Sequence, residues 1–164
     1  MPPGAFRHEA MPYRGAEQFV GLAASFLERA VQEREPALVL VDEPKQAQLR
    51  DALGPAGTSV TYRDVRVVGR NPAHIIPVWR SFVDDHAGHG ALWGIGEPLW
   101  PERSASEIAE CHQHEALLNL ALADAATLTL ACPVDVGVLA PATVSATVRC
   151  HPDVRTAGAT QAPA

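Results

Sequence analysis

The sequence predicts an α/β fold, a three-layer sandwich with helices on both faces of a mostly parallel sheet. Three observations lead there. Residues 37–41, ALVLV, form an unbroken aliphatic run, the pattern of a strand buried on both faces. Short β-type runs alternate along the chain with longer segments of helical period, which is the order of βα units. The length of 164 residues, 47% of them hydrophobic, suits one domain with its own core and leaves little room for two.

The elements follow in chain order. Residues 5–11 read as a strand with polar interruptions, and 16–34 as a helix with Phe19, Ala23, Phe26, Leu27, Ala30 and Val31 on one stripe. After the aliphatic strand, Asp42 is placed to cap a helix from Glu43 to Leu53, which stops at Gly54-Pro55. Val60 and Tyr62 alternate with polar neighbours in a short strand. Asn71-Pro72 is a helix start, and Pro77 inside the following pattern predicts a late start or a kink. Its buried stripe is Ile75, Val78, Trp79, Phe82 and Val83. Residues 86–90 are a loop and 91–95 a strand, left through the rigid turn 97–101. Ser104 and Glu107 form an S-x-x-E capping box, and the helix they open runs to about 123, its second half apolar nearly all round. Residues 127–132 make the last clear strand and 141–150 a closing helix. The expected division is a domain over 1–154 and a disordered, small-residue tail over 155–164.

Composition excludes several classes of function. A formal net charge of −6 and no basic stripe with interleaved aromatics argue against direct nucleic-acid binding. The most apolar stretch, 116–132, is broken by Asn119 and Asp124, so no membrane span is expected. The start, MPPGAFRHEA, lacks a basic segment followed by an apolar core, and three cysteines make no disulfide framework; both suit a cytoplasmic protein.

Nucleotide hydrolysis requires a glycine-rich loop ending in Lys-Ser or Lys-Thr after the first strand. The chain has Tyr13-Arg14-Gly15-Ala16-Glu17-Gln18 there, without a lysine, and its single lysine, Lys45, belongs to another βα unit. Cys111, His114 and Glu115 stand at i, i+3 and i+4 on a helix, and Cys132 at a strand end can join them around zinc or iron. The stronger Cys-x-x-Cys and His-x-x-x-His spacings are missing, and a buried thiol beside ordinary hydrogen-bonded side chains is the simpler account. No G-x-S-x-G elbow marks a nucleophile. His8, His86, His89 and His151 have no spacing that assigns them a role. In parallel sheets the ligand site lies off the carboxyl ends of the strands, so the loops at 13–17, 96–100 and 133–135 are the ones to watch. Trp93 and Trp100 bracket Glu97 there, which suggests a small, largely apolar pocket.

Several short segments in fixed order carry a resemblance. They are Phe6-Arg7-His8-Glu9-Ala10 with Tyr13-Arg14-Gly15, Gly69-Arg70-Asn71-Pro72, and Gly94-Ile95-Gly96-Glu97-Pro98 with Trp100-Pro101. Glu110-Cys111, His114 to Asn119, Cys132-Pro133 with Asp135, and His151-Pro152 follow. Together they resemble the MEDS domain, the sensory domain named for methanogens, methylotrophs and the DcmR regulator, and most closely its actinobacterial branch. The resemblance spans about Phe6 to Val154. It implies a degenerate RecA/KaiC-like P-loop fold without its Walker A motif, small hydrocarbon derivatives as ligands, and a histidine-kinase-like or anti-sigma regulatory module as protein partner. Met11-Pro12 and Val134 depart from the family's usual leucines and tyrosine beside the pocket, so ligand identity does not carry over.

The reading that follows is a non-catalytic sensory domain of a bacterial signalling or transcription-control pathway, with no cofactor. Its small-molecule pocket is expected to be lined by His8, Tyr13, Glu97, Trp100, His114 and Glu115. Two alternatives stand beside it: a metal or thiol-redox sensor centred on Cys111, His114 and Cys132, and a small-molecule enzyme using Glu97 or His114 as acid–base.

Overall fold

A computed structural model describes residues 6–157 and 159–162. Seven strands form one sheet: β1 (Arg7–Tyr13), β2 (Ala37–Val41), β3 (Val60–Asp64), β4 (Leu92–Gly96), β5 (Leu128–Asp135), β6 (Asp153–Thr156) and β7 (Ala159–Gln161). Their order is β3-β2-β4-β5-β1-β6-β7, and every neighbouring pair is parallel except β6 with β7. The helices are α1 (Gly15–Glu33), α2 (Glu43–Leu53), the single turn α3 (Val65–Val68), α4 (Ile75–Asp85), α5 (Ala105–Ala121) and α6 (Pro141–Arg149).

The aliphatic run of β2 divides between two cores, as a strand with both faces covered must. Val39 and Val41 pack with Met11, Ile95 and the α1 stripe of Phe19, Ala23, Phe26, Leu27 and Ala30. Leu38 and Leu40 pack with Trp79 and Phe82 of α4, Leu118 of α5 and Leu130 of β5. The α/β sandwich with a mostly parallel sheet is therefore as predicted.

Local signals set the helix starts. Asp42 accepts from the Lys45 amide at 3.1 Å. Asn71 accepts from the Ala73 amide at 3.0 Å and opens a 3-10 turn over Pro72–His74. The α-helix begins only at Ile75, which puts Pro77 in its first turn, where a missing N–H costs no internal bond. Ser104 and Glu107 close the capping box of α5 in both directions.

Two expectations are corrected. The strand expected to stop at Cys132 continues through Pro133 to Asp135 beside β1. Pairing with β4 ends at Ala131, so the proline falls where that neighbour has run out and its lost N–H breaks no ladder there. The tail expected to be disordered from 155 instead supplies β6 and β7. Arg155 anchors it: its Nε donates to the buried Glu9 carboxylate at 2.6 Å, and its guanidinium lies 5.0 Å from the centre of the Phe26 ring.

Candidate functional site

The carboxyl ends of β1, β2 and β4 meet at Glu97, which follows β4 and is 4% exposed. The Tyr13 hydroxyl donates to its Oε1 at 2.5 Å, and Lys45 Nζ stands 2.7 Å from its Oε2. Lys45 comes from the first turn of α2, held there by the Asp42 cap, and its ammonium lies 3.6 Å from Asp42 Oδ2. Burial pushes the Glu97 carboxyl up to about 7, against the opposing pull of Lys45 and of the Tyr13 hydrogen bond. Burial, together with the Glu97 charge, drives the Tyr13 phenol far above its usual range, so it stays a donor. β1 passes into α1 through Arg14 alone, and the Arg14 amide is taken by Gln18 Oε1 at 2.6 Å.

The turn after Glu97 is fixed by Arg103, whose Nε donates to Pro98 O and whose Nη2 donates to Gly69 O, each at 2.6 Å. Trp100 stacks on this guanidinium at 3.5 Å. Cys111 Sγ also donates to Pro98 O, at 3.4 Å.

Beneath the turn lies a closed, mainly apolar cavity lined by Leu40, Trp79, Gly96, Glu97, His114, Glu115, Leu118 and Cys132 among others. Its walls are packed closely enough to leave no room for a water molecule. His114 is buried, its Nδ1 has no partner, and burial lowers its pKa, so it is a neutral ring. The same ring borders an open surface groove formed by Asn71, Pro72, Ala73 and Ile76 against Glu110, Gln113 and Leu117 of α5. His114 is thus the wall between the groove and the cavity.

On the cavity's far side stands a fully buried polar cluster. His8 of β1 places Nε2 3.1 Å from Glu115 Oε2 and 3.3 Å from Cys132 Sγ. His151, just past α6, places its Nε2 3.3 Å from the same carboxylate oxygen, without the alignment of a hydrogen bond. Asn119, one turn after Glu115, holds His8 Nδ1 at 3.1 Å, and the Thr147 carbonyl holds His151 Nδ1 at 2.8 Å. Burial alone would raise the Glu115 pKa, but His151 and His8 together hold it well below the carboxylate range. Burial lowers His8, whereas at His151 the pull of Glu115 outweighs burial and raises it.

Of the six pocket residues expected from the sequence, Glu97, His114 and Glu115 line one cavity. Tyr13 reaches Glu97 from the α1 side of the sheet, and His8 stands behind Glu115 and Cys132. Trp100 lies outside, stacked on Arg103. Trp93 does not bracket Glu97 at all: it sits near the amino end of β4 and donates to Glu35 at 2.6 Å. The grouping of Cys111 and His114 with Cys132 is not formed either. Among the described residues, the gathered set is His8, Glu115, Cys132 and His151, because i+3 and i+4 on α5 face different neighbours. Lys45 and Asn119 were missed as site residues. Lys45 looked remote only because sequence distance hides that β2 and β4 are adjacent. The helical i+4 spacing of Asn119 from Glu115 was a usable signal.

No curated protein matches the chain. A family model does, over residues 7–152, which takes in β1 through the histidine that closes the buried cluster. With 146 of 164 residues inside that match, the chain belongs to the MEDS family, the methanogen/methylotroph, DcmR sensory domain.

Proposed function

We propose that this domain senses a small, mainly apolar molecule carrying one polar group, taken into the cavity behind His114. One observation carries the reading: among the apolar side chains behind His114, two buried polar atoms have bonding capacity to spare. His114 Nδ1 and Glu115 Oε1 are buried without partners, and such groups cost free energy until something satisfies them. A ligand hydroxyl or carbonyl is suited to do so, while Leu40, Trp79 and Leu118 take its hydrocarbon part.

In this reading His114 swings toward the groove to make room for the ligand, and α5, which carries His114 and Glu115, shifts with occupancy. Such coupling is what a sensor needs, because a ligand shifts a conformational equilibrium only through differential affinity. The output in this proposal is a changed surface offered to a kinase-like or anti-sigma regulatory module. A degenerate P-loop ancestry fits the same picture: Glu97 ends a strand separated from β1 by β5 alone, and the nucleotide loop has shrunk to Arg14.

The test is a thermal-shift and calorimetric series with primary alcohols and chloroalkanes of one to four carbons. Saturable stabilisation by one class is expected, with His114→Ala changing its affinity at least about tenfold, or about 1.4 kcal/mol. Absence of any saturable shift, or identical binding by the variant, overturns the proposal.

A further inference from the structure

We propose that His8, Glu115, Cys132 and His151 form a closed four-ligand site for a divalent ion of the zinc class. The four donor atoms lie within 4.8 Å of one another and all four side chains are buried. The contacts around Glu115 Oε2 and His8 Nε2 measure 3.1, 3.3, 3.3 and 3.6 Å. Ligands at about 2.0–2.3 Å from a tetrahedral ion are separated by roughly 3.3–3.7 Å, so these four separations lie close to that edge. The remaining two, within 4.8 Å, close up by small side-chain shifts around His151.

Hydrogen bonds within the cluster leave the contact of His8 Nε2 with Glu115 Oε2 unexplained. Asn119 Nδ2 donates to Cys150 O at 2.9 Å, which turns Oδ1 toward His8. His8 Nδ1 must then be the donor, and its Nε2 presents a lone pair inward. The Thr147 carbonyl only accepts, so His151 Nδ1 is likewise the donor; its Nε2 carries the second proton in the charged form that Glu115 favours, and presents a lone pair once a cation displaces that proton. His8, its pKa lowered by burial, therefore faces its Nε2 lone pair toward Glu115 Oε2 at 3.1 Å, and the lone thiol proton of Cys132 satisfies one contact at most. One orphaned atom, His151 Nε2, faces the centre without an aligned partner. A cation at the centre resolves that acceptor–acceptor contact.

The surroundings are those of a metal site. Each histidine has its outer nitrogen fixed by a protein acceptor, the arrangement that sets tautomer and ring orientation in ligating histidines. Two nitrogens, one sulfur and one carboxylate suit a borderline-soft ion better than magnesium or calcium. On binding, Cys132 yields its thiol proton to water and forms a metal–sulfur bond. The thiolate and carboxylate then balance the dication. Four protein ligands leave no open position, so the ion's work is structural: it ties β1, β5, α5 and the segment after α6 together.

Cobalt(II) is the probe, titrated into the whole chain after chelator treatment. One ion per chain should bind with the intense visible bands of four-coordinate cobalt and a near-ultraviolet thiolate band. Cys132→Ser should abolish the thiolate band while Cys111→Ser keeps it, and Asn119→Ala should weaken binding about 10- to 100-fold. Should Cys132→Ser fail to fold, the wild type decides: zinc must release at least one proton per ion and raise the melting temperature. Weak six-coordinate spectra, a thiolate band surviving in Cys132→Ser, or zinc addition without proton release overturns the site. Because the probe is the ion alone, failure here leaves the ligand reading standing, and the converse holds.

Discussion

Lys45, the single lysine of the chain, places its ammonium 2.7 Å from Glu97 Oε2 across the carboxyl end of the sheet. The pair leaves Glu97 a buried carboxyl poised near neutrality, at about 7, because desolvation outweighs Lys45 and Tyr13. Asp42, on the α2 side, opposes ionisation as well. The consequence for stability has a definite sign. Below about pH 4.5 the group is protonated in both folded and unfolded chains, and it costs nothing. Between about 4.5 and 7 the unfolded chain gives up its proton while the fold retains it, so stability falls as pH rises. The loss is on the order of 3 kcal/mol and levels off above that window. Glu97→Gln should remove this part of the slope, which urea unfolding of both proteins from pH 4.5 to 8 measures. Parallel pH profiles for the two would refute the assignment.

Trp79 explains the glycines of β4. A Cβ on Gly94 would lie 2.8 Å from the Trp79 ring and 2.9 Å from Leu130 Cδ1, and one on Gly96 would lie 3.0 Å from the ring. The indole therefore packs directly on strand backbone. Gly94→Ala should destabilise by about 1–3 kcal/mol through overpacking. Combined with Trp79→Leu, the cost should be less than the sum of the two single changes, since the smaller side chain vacates the contested space. Strict additivity in a double-mutant cycle would count against this contact.

The fold was legible where local chemistry is self-sufficient. Asp42, Asn71 and Ser104 each announce a helix start through a short polar side chain at the right offset, and each caps as expected. The two-sided burial of β2 is written in five consecutive aliphatics. The failures share another cause. Pro133 ends a strand by its own propensity, yet survives because of where β4 stops, a fact of another segment. The Thr- and Ala-rich end of the chain carries no apolar pattern, and its strands depend on β1 and on the Arg155–Glu9 contact. Glu97, His114 and Glu115 lie together, as strand ends and an apolar helix limit where polar groups belong. The partnership of His8 with His151 spans almost the whole chain, and no spacing rule reaches that far.

Nucleotide binding is the next point to check. With Arg14 as the whole passage from β1 to α1, no row of free amides surrounds a phosphate, and Glu17 in the first turn of α1 repels one. Calorimetry with Mg-ATP should show no saturable heat up to about 1 mM. A dissociation constant tighter than that would contradict the geometry of this junction.

The end of the chain offers the last test, because it separates an ordered strand from a disordered tail. Glu9 is fully buried in β1, and its carboxylate accepts from Arg7 Nη2 at 2.7 Å and Arg155 Nε at 2.6 Å. Arg7 is the more solvated of the two, at 44% exposed, whereas Arg155 is three-quarters covered and packs on Phe26. Removing one partner of a buried ion pair leaves the other charge uncompensated, at about 3–5 kcal/mol when nothing else replaces it. Arg7 remains to share the charge, so Arg155→Ala should cost less, about 1–3 kcal/mol, part of it lost packing against Phe26. Arg149→Ala is the control, since that guanidinium reaches only Ser145 on an exposed face and should change stability by less than about 0.5 kcal/mol. Denaturant unfolding of the three proteins decides the matter. Equal midpoints for Arg155→Ala and wild type would mean that β6 does not hold Glu9, and the seventh strand would lose its anchor with it.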